Sequence, residues 1–163
     1  NDKKEKIFVV MTANRNADLP PELLRPGRLD EIFFVDLPNK TERKAIFEIH
    51  LRKRGVEVAK DLAPAVDATD TFSGAEIERA VSAAMKRKAA RNKEWDGSVL
   101  TIDELVASAN LVRPIAGIDP VSVETIRDFG KKYLTSASRP EGNGKVKVPA
   151  VRKLRTDDDP SRN

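Results

Sequence analysis

Cysteine is absent from the 163-residue sequence, and histidine occurs once, as His50. The first absence excludes a disulfide framework and any thiolate metal site; the second excludes the usual multi-histidine zinc sites. No apolar run approaches the roughly 18 residues that a membrane span requires, and no signal-peptide pattern opens the chain. A cytoplasmic or plastid-stromal protein without a membrane segment is expected. The chain also lacks an initiator Met and begins NDKKEKIFVV, as a fragment of a longer protein would. What remains for chemistry is carboxylates, arginines, amides and groups borrowed from elsewhere.

Against these absences stand 39% hydrophobic and 34% charged residues, the balance of a globular chain whose helices carry wetted faces. The length suits one domain with a real core, or part of a larger one. A formal charge of +4 suggests a nucleic-acid surface only until the charges are located. Ser138 to Asn163 holds seven basic residues (Arg139, Lys145, Lys147, Arg152, Lys153, Arg155, Arg162) against four acids (Glu141, Asp157, Asp158, Asp159). Most of the surplus therefore sits in a stretch of scattered Gly, Pro, Ser and Asn, whose composition reads as a disordered basic tail. Nucleic acid or another acidic partner is expected only through that tail.

Ile7 to Met11, IFVVM, is a continuous apolar run that fits a strand buried on both faces of a parallel sheet. Pro20 and Pro21 suit the first turn of a short helix through Leu24, which Pro26 and Gly27 stop. Glu31 to Leu37, EIFFVDL, is a second β-forming run, closed by Pro38. From Asn39 the period becomes helical: Asn39 or Thr41 can cap a helix whose Ala45, Ile46 and Ile49 share a face, with Gly55 as its C-terminal stop. Leu62, Ala65 and Val66 predict a second, shorter helix. Ser73 and Glu76 stand at capping-box spacing ahead of Ile77, Ala80, Val81 and Ala84. Thr101 and Glu104 repeat the device ahead of Leu105, Val106, Ala109 and Val112. Ile126, Phe129 and Tyr133 mark a last helix between Asp119 and Leu134. Two strands alone do not make a stable sheet, so further strands are expected upstream.

Four short stretches invite a chemical reading. Arg25 precedes a proline and is pushed out of the helical region, while Gly27 can take a positive φ. Arg25 and Arg28 can then point the same way, two planar forks suited to an oligophosphate, or else form surface salt bridges with Glu22, Asp30 or Glu31. Asn14 follows the first run, where ligands sit in open α/β sheets; its amide could orient a water or a phosphate oxygen, or simply form a turn. His50 lies four residues after Ile46 and is either a ligand contact or a satisfied polar group. Gly74 and Ala75 open a capped helix without bulk, which serves close packing or the approach of a nucleotide to free N–H groups.

Taken together and in this order, the motifs resemble the second half of the AAA ATPase module, over about Ile7 to Arg91. VVMTANRN is similar to the sensor 1 strand, with Asn14 at the sensor position, and LPPELLRPGRLDEIFFVDLP to the arginine-finger segment, with Arg25 and Arg28 at the finger positions. ERKAIFEIH is similar to the first lid helix, with Ile46 and His50 near the base. FSGAEIERAV resembles sensor 2 in its Gly-Ala form, Gly74 and Ala75. The stretch from Gly27 to Arg54 looks closest to a bacterial and plastid group of AAA proteins known as open reading frames. Thr12-Ala13-Asn14 in place of Ala-Thr-Asn, Leu29 in place of Phe and Glu31 in place of Arg argue against the proteasomal and membrane-protease branches. The latter also need a two-histidine zinc helix that one His cannot supply.

The resemblance implies an α/β fragment, the last strands of a parallel P-loop NTPase sheet, followed by an all-α lid and a disordered tail. The corresponding limits are 1–38 for the end of the α/β subdomain, 39–112 for the lid, 113–137 for a C-terminal helical extension and 138–163 for the tail. It also implies ATP and Mg²⁺ as cofactors, identical subunits in a hexameric ring as partners, and a remodelled protein substrate. No G-x-x-x-x-G-K-[ST] loop and no apolar strand ending in Asp-Glu occur, so the isolated chain is expected to be inactive, with the Mg²⁺ ligands upstream. By the same resemblance Asn14 positions the attacking water or the γ-phosphate, and Ile46, His50, Gly74 and Ala75 line the adenine and ribose. Arg25 and Arg28 reach the nucleotide of the neighbouring subunit. The competing expectation is a non-enzymatic helical interaction domain whose tail binds an acidic partner.

Overall fold

The computed structural model describes residues 8–14, 19–25, 27–58 and 61–138. The expected tail beyond Ser138 lies outside the described residues, as do Ile7 and Pro26. In chain order the elements are β1 (Phe33–Phe34), α1 (Lys40–Lys53), β2 (Glu57–Val58), α2 (Ala63–Asp67), α3 (Gly74–Arg91), β3 (Val99–Leu100), α4 (Ile102–Ala109), α5 (Ile115–Ile118), α6 (Pro120–Tyr133) and β4 (Thr135–Ser136). A 3-10 turn, Pro21–Leu24, precedes them.

Three helices begin with the same device. Asn39, Ser73 and Thr101 each accept from the backbone N–H three residues on, while Glu42, Glu76 and Glu104 reach back to the cap residue's own N–H. Each box satisfies two amides that the helix geometry leaves orphaned, and it fixes where the helix starts. At the other end of α1, Gly55 adopts φ +64°, the left-handed conformation that ends the helix cleanly.

The core lies among α1, α2, α3 and α4. Phe47, Ile77, Leu100 and Leu105 are fully buried in it, with Val66, Val81 and Ala84 around them. Burying each large side chain contributes about 1.5–3 kcal/mol before the entropy of ordering the chain is counted. All four predicted core positions of α3 (Ile77, Ala80, Val81, Ala84) are buried. On α1 the expected face is wrong: the buried residues are Arg43, Phe47 and Leu51, whereas Ala45 and Ile49 are exposed and Ile46 is only partly covered. Arg43 hides the stripe from an apolar count, because its guanidinium goes inside with each of its three nitrogens engaged. Nη1 donates to the Pro38 carbonyl at 3.1 Å, Nε to the Val66 carbonyl at 3.4 Å, and Nη2 pairs with Asp70 at 3.3 Å.

The strand expectations hold only in part. Phe8 to Met11 form no strand and are solvent-exposed, Phe8 at 90%. A doubly buried strand needs neighbours on both edges, and no described strand pairs with this run. Glu31 to Leu37 contracts to the two residues of β1, which pair in parallel with β4, Phe33 opposite Thr135 and Phe34 opposite Ser136. A second parallel pair, β2 with β3, fastens the end of α1 to the start of α4. Neither β4 nor the short α5 was expected from periodicity.

The β1–β4 pairing belongs to a larger clasp. Arg127 of α6 donates to Asp36 at 2.7 Å, Thr135 Oγ1 to Glu31 at 2.6 Å, and Ser138 Oγ to Glu42 at 3.3 Å. Gly130 lets α6 approach the Phe34 ring so closely that an added Cβ would lie 2.3 Å from Phe34 Cγ. α6 and β4 are thus bound to the strand that leads into α1.

Candidate functional site

The predicted site residues fall into two groups. The first is the exposed segment before β1. Pro21 pre-sets the φ of the 3-10 turn, and Arg25 leaves it extended, at φ −71° and ψ 140°. Gly27 takes φ +87° with nothing within 4 Å of a would-be Cβ, so glycine is needed there for conformation and not for space. The Arg28 N–H closes the turn on the Arg25 carbonyl at 3.3 Å. Both arginines are exposed, and neither guanidinium has a hydrogen bond or ion pair among the described residues. The salt-bridge reading is therefore not realised; Glu31 accepts from Thr135 instead. Asn14 sits on an exposed bend, not at the end of a strand as expected.

The second group lies where α1 meets α3. Ile46, His50 and Arg54 follow one another at four-residue steps, as do Gly74, Glu78 and Ser82 on α3, so each set forms a row along one face. The rows meet in register. An added Cβ on Gly74 would touch Ile46 Cδ1 at 3.8 Å, and further along Arg54 Nη2 donates to Glu78 at 2.7 Å and to Ser82 at 3.3 Å. His50 lies between, its side chain 16% exposed, with Nδ1 3.2 Å from Arg54 Nη1. The hydrogen bond from Arg54, with its guanidinium charge, holds the Glu78 carboxyl below its ordinary pKa. No hydrogen bond or ion pair joins Asn14, Arg25 or Arg28 to these rows among the described residues.

At the head of the rows is the N-terminus of the 18-residue helix α3. Its capping box occupies the Ser73 and Glu76 amides. The Gly74 and Ala75 amides have no partner among the described residues. Free N–H groups at the positive end of a helix dipole attract oxygen acceptors. Glu76 also accepts from the Ile115 N–H at 2.6 Å, which moors α5 beside this end. Arg54, Glu78 and Ser82 escaped the sequence reading. Arg54 could have been found from its four-residue spacing after His50, but Glu78 and Ser82 required the register between two helices.

No protein-family model matches the chain. It is 40% identical over 131 residues to the AAA domain-containing protein ycf46 of Gracilaria tenuistipitata var. liui, covering 79% of this chain and 26% of that protein. With ycf46 of Pyropia yezoensis the identity is 42% over 129 residues, 78% and 25% of the two chains. An ATP-dependent zinc metalloprotease FtsH 1 of Sphaerobacter thermophilus is 38% identical over 96 residues, 59% of this chain and 15% of that one. Among solved structures, the crystal structure of the FIGL-1 AAA domain superposes with a TM-score of 0.52 at 20% identity, over 66% of this chain and 38% of that one.

The chain belongs to the AAA family. Its matched portion is the C-terminal part of an AAA ATPase, mostly helical with two short parallel strand pairs, which is consistent with the lid subdomain plus a strand fragment. It spans about a quarter of the length of the ycf46 relatives. AAA ATPases hydrolyse ATP and use nucleotide with Mg²⁺. The head of the α1–α3 rows is compatible with a nucleotide: the Gly74 and Ala75 amides have no partner among the described residues, and the apolar Ile46 lies alongside Gly74. Mg²⁺ finds no such fit, since no group of three His, Asp or Glu side chains able to hold a metal occurs among the described residues. No helix of the described residues is long and apolar enough to cross a membrane.

Proposed function

We propose that this chain supplies the lid, the sensor 1 asparagine and the trans-acting arginines of an ATP-hydrolysing AAA remodeller, cytoplasmic or stromal, that works as a ring of identical subunits. The observation that carries the reading is the register of α1 on α3, which sets Ile46 3.8 Å from a Cβ added at Gly74, beside the free Gly74 and Ala75 amides. An apolar wall next to unpaired donors suits a purine with its ribose. Ile46, His50, Gly74 and Ala75 would line that end of the nucleotide. ATP contributes the phosphoryl chain; this chain's residues orient it. Asn14 would hold the attacking water or a γ-phosphate oxygen by its amide.

Among the described residues Arg25 and Arg28 are exposed and unpaired and make no contact with the rows, which supports their serving a nucleotide held by a neighbouring subunit. A guanidinium placed there would offset the charge on the transferring phosphoryl group, an effect of about 10³–10⁵ in rate. With neither a phosphate loop nor an acidic Mg²⁺ strand, the isolated chain would not hydrolyse ATP. The reading is tested in the full-length protein by Gly74→Val. The new Cβ would meet Ile46 Cδ1 at van der Waals contact, and its two methyls would occupy the space in front of the Gly74 and Ala75 amides, so ATP binding measured by calorimetry should weaken roughly tenfold, the loss of about one hydrogen-bond-sized interaction. Unchanged affinity in the folded variant would refute the assignment.

A further inference from the structure

We propose that Arg54, anchored by Glu78 and Ser82 of α3, is a positioning residue that fixes His50 as the neutral tautomer protonated at Nε2, making the imidazole a hydrogen-bond donor to its ligand. Donor count decides the tautomer. A guanidinium carries only N–H donors and keeps its charge. Arg54 Nη1 lies 3.2 Å from His50 Nδ1, so Nδ1 accepts there and the ring proton must sit on Nε2. The same Nη1 donates to the His50 carbonyl at 3.2 Å, which keeps the guanidinium folded back over its own helix turn. The alternative partner for Nδ1 is the Glu78 carboxylate, but Oε1 is 3.7 Å away, beyond hydrogen-bond range, and is already engaged by Arg54 Nη2 at 2.7 Å.

Arg54 would be a floppy surface side chain without α3. Both hydrogen bonds of Nη2 go to α3, to the Glu78 carboxylate and the Ser82 hydroxyl, and an ordinary carboxylate is charged and accepting at neutral pH. The orientation of the only histidine is thus set by the neighbouring helix, in the way that an outer carboxylate fixes the tautomer of a metal-bound or catalytic histidine. With Nδ1 occupied, Nε2–H is the one polar atom of the ring left for a ligand. The contact it makes must be to an acceptor, such as a purine ring nitrogen or a ribose oxygen, and not to an exocyclic amine.

The consequence for nucleotide binding rests on the reading of His50 as a nucleotide contact; the tautomer itself does not. Because the chain has one histidine, long-range ¹⁵N–¹H correlation on the labelled, ligand-free chain at mildly alkaline pH reports His50 without ambiguity. The wild type should show a single Nε2–H tautomer with a hydrogen-bonded Nδ1. Arg54→Ala should move the Nδ1 resonance and admit the Nδ1–H form, while Arg54→Lys, still a pure donor, should retain the wild-type pattern. Should Arg54→Ala fail to fold, Glu78→Gln decides, with a partial shift expected. An Nδ1–H wild type, or nitrogen resonances that do not move in the folded variants, would overturn the proposal. In the full-length protein, Arg54→Ala should raise the KM for ATP in step with His50→Ala, by roughly five- to tenfold. If the spectra behave as stated but neither variant changes KM, the tautomer lock stands and the nucleotide role of His50 fails.

Discussion

Single residues carry visible strain and visible solutions to it. Thr71 has φ +63°, a conformation that crowds Cβ and is especially poor for a β-branched side chain. Thr71→Gly should therefore raise stability, by up to about 1 kcal/mol after the added chain entropy of glycine is subtracted, read as a higher urea midpoint at unchanged m. Gly130 is the opposite case. Alanine in a helix interior normally gains about 1 kcal/mol over glycine, yet here the new Cβ would lie 2.3 Å from Phe34 Cγ. Gly130→Ala should destabilise by about 1–3 kcal/mol, and adding Phe34→Leu should recover part of the loss. The conformations of Gly27, Gly55 and Arg25 were legible because they are local, set by a proline neighbour or a helix end. Thr71 and Gly130 were not, since one follows from the α2–α3 connection and the other from a partner nearly a hundred positions away.

At the scale of elements, the caps were readable and the packing faces only partly so. A capping box is written within four residues: the two expected at Ser73 and Thr101 form, and of the two candidate caps of α1 it is Asn39 that caps, adding a box with Glu42. The face of α1 misled because a charged residue, Arg43, occupies a core position by satisfying carbonyls of two other segments. The box that starts α4 has a further role. Burial works against the Glu104 carboxylate, but the Thr101 amide and Lys88, 3.1 Å away, outweigh it and hold its pKa below the ordinary value. Lys88 also donates to the Val99 carbonyl at 2.9 Å and lies over the Trp95 ring, so this carboxylate locks α3, β3 and α4 together. A lowered folded pKa means that the contribution is complete above the unfolded value and is lost as pH falls through the folded one. Thermal stability should accordingly drop as the solution is acidified below about pH 4.5, the ordinary value of this carboxyl. Glu104→Gln should be less stable at neutral pH and should flatten that acid dependence.

For the whole molecule, the order of motifs carried the family, and topology carried what the motifs could not say. Arg127 reaches Asp36 across 91 positions and Thr135 reaches Glu31 across 104; such pairs leave no periodic trace in a sequence. Conversely, the IFVVM run reads as a buried strand, but Phe8 to Met11 stand exposed with no strand partner among the described residues, because a strand's stability lies in its neighbours. The division of labour proposed for the ring, with Asn14 serving its own subunit's nucleotide and Arg25 and Arg28 the next one's, has a direct consequence for mixed assemblies. The decisive measurement is ATP turnover by full-length protein in which Arg25→Ala/Arg28→Ala subunits are mixed with Asn14→Ala subunits. Each variant alone should lose on the order of 10³ in rate, whereas mixed rings join an intact Asn14 to an intact arginine pair at shared interfaces and should recover turnover well above the sum of the two. A mixture no more active than that sum, or arginine variants with wild-type turnover, would contradict the account.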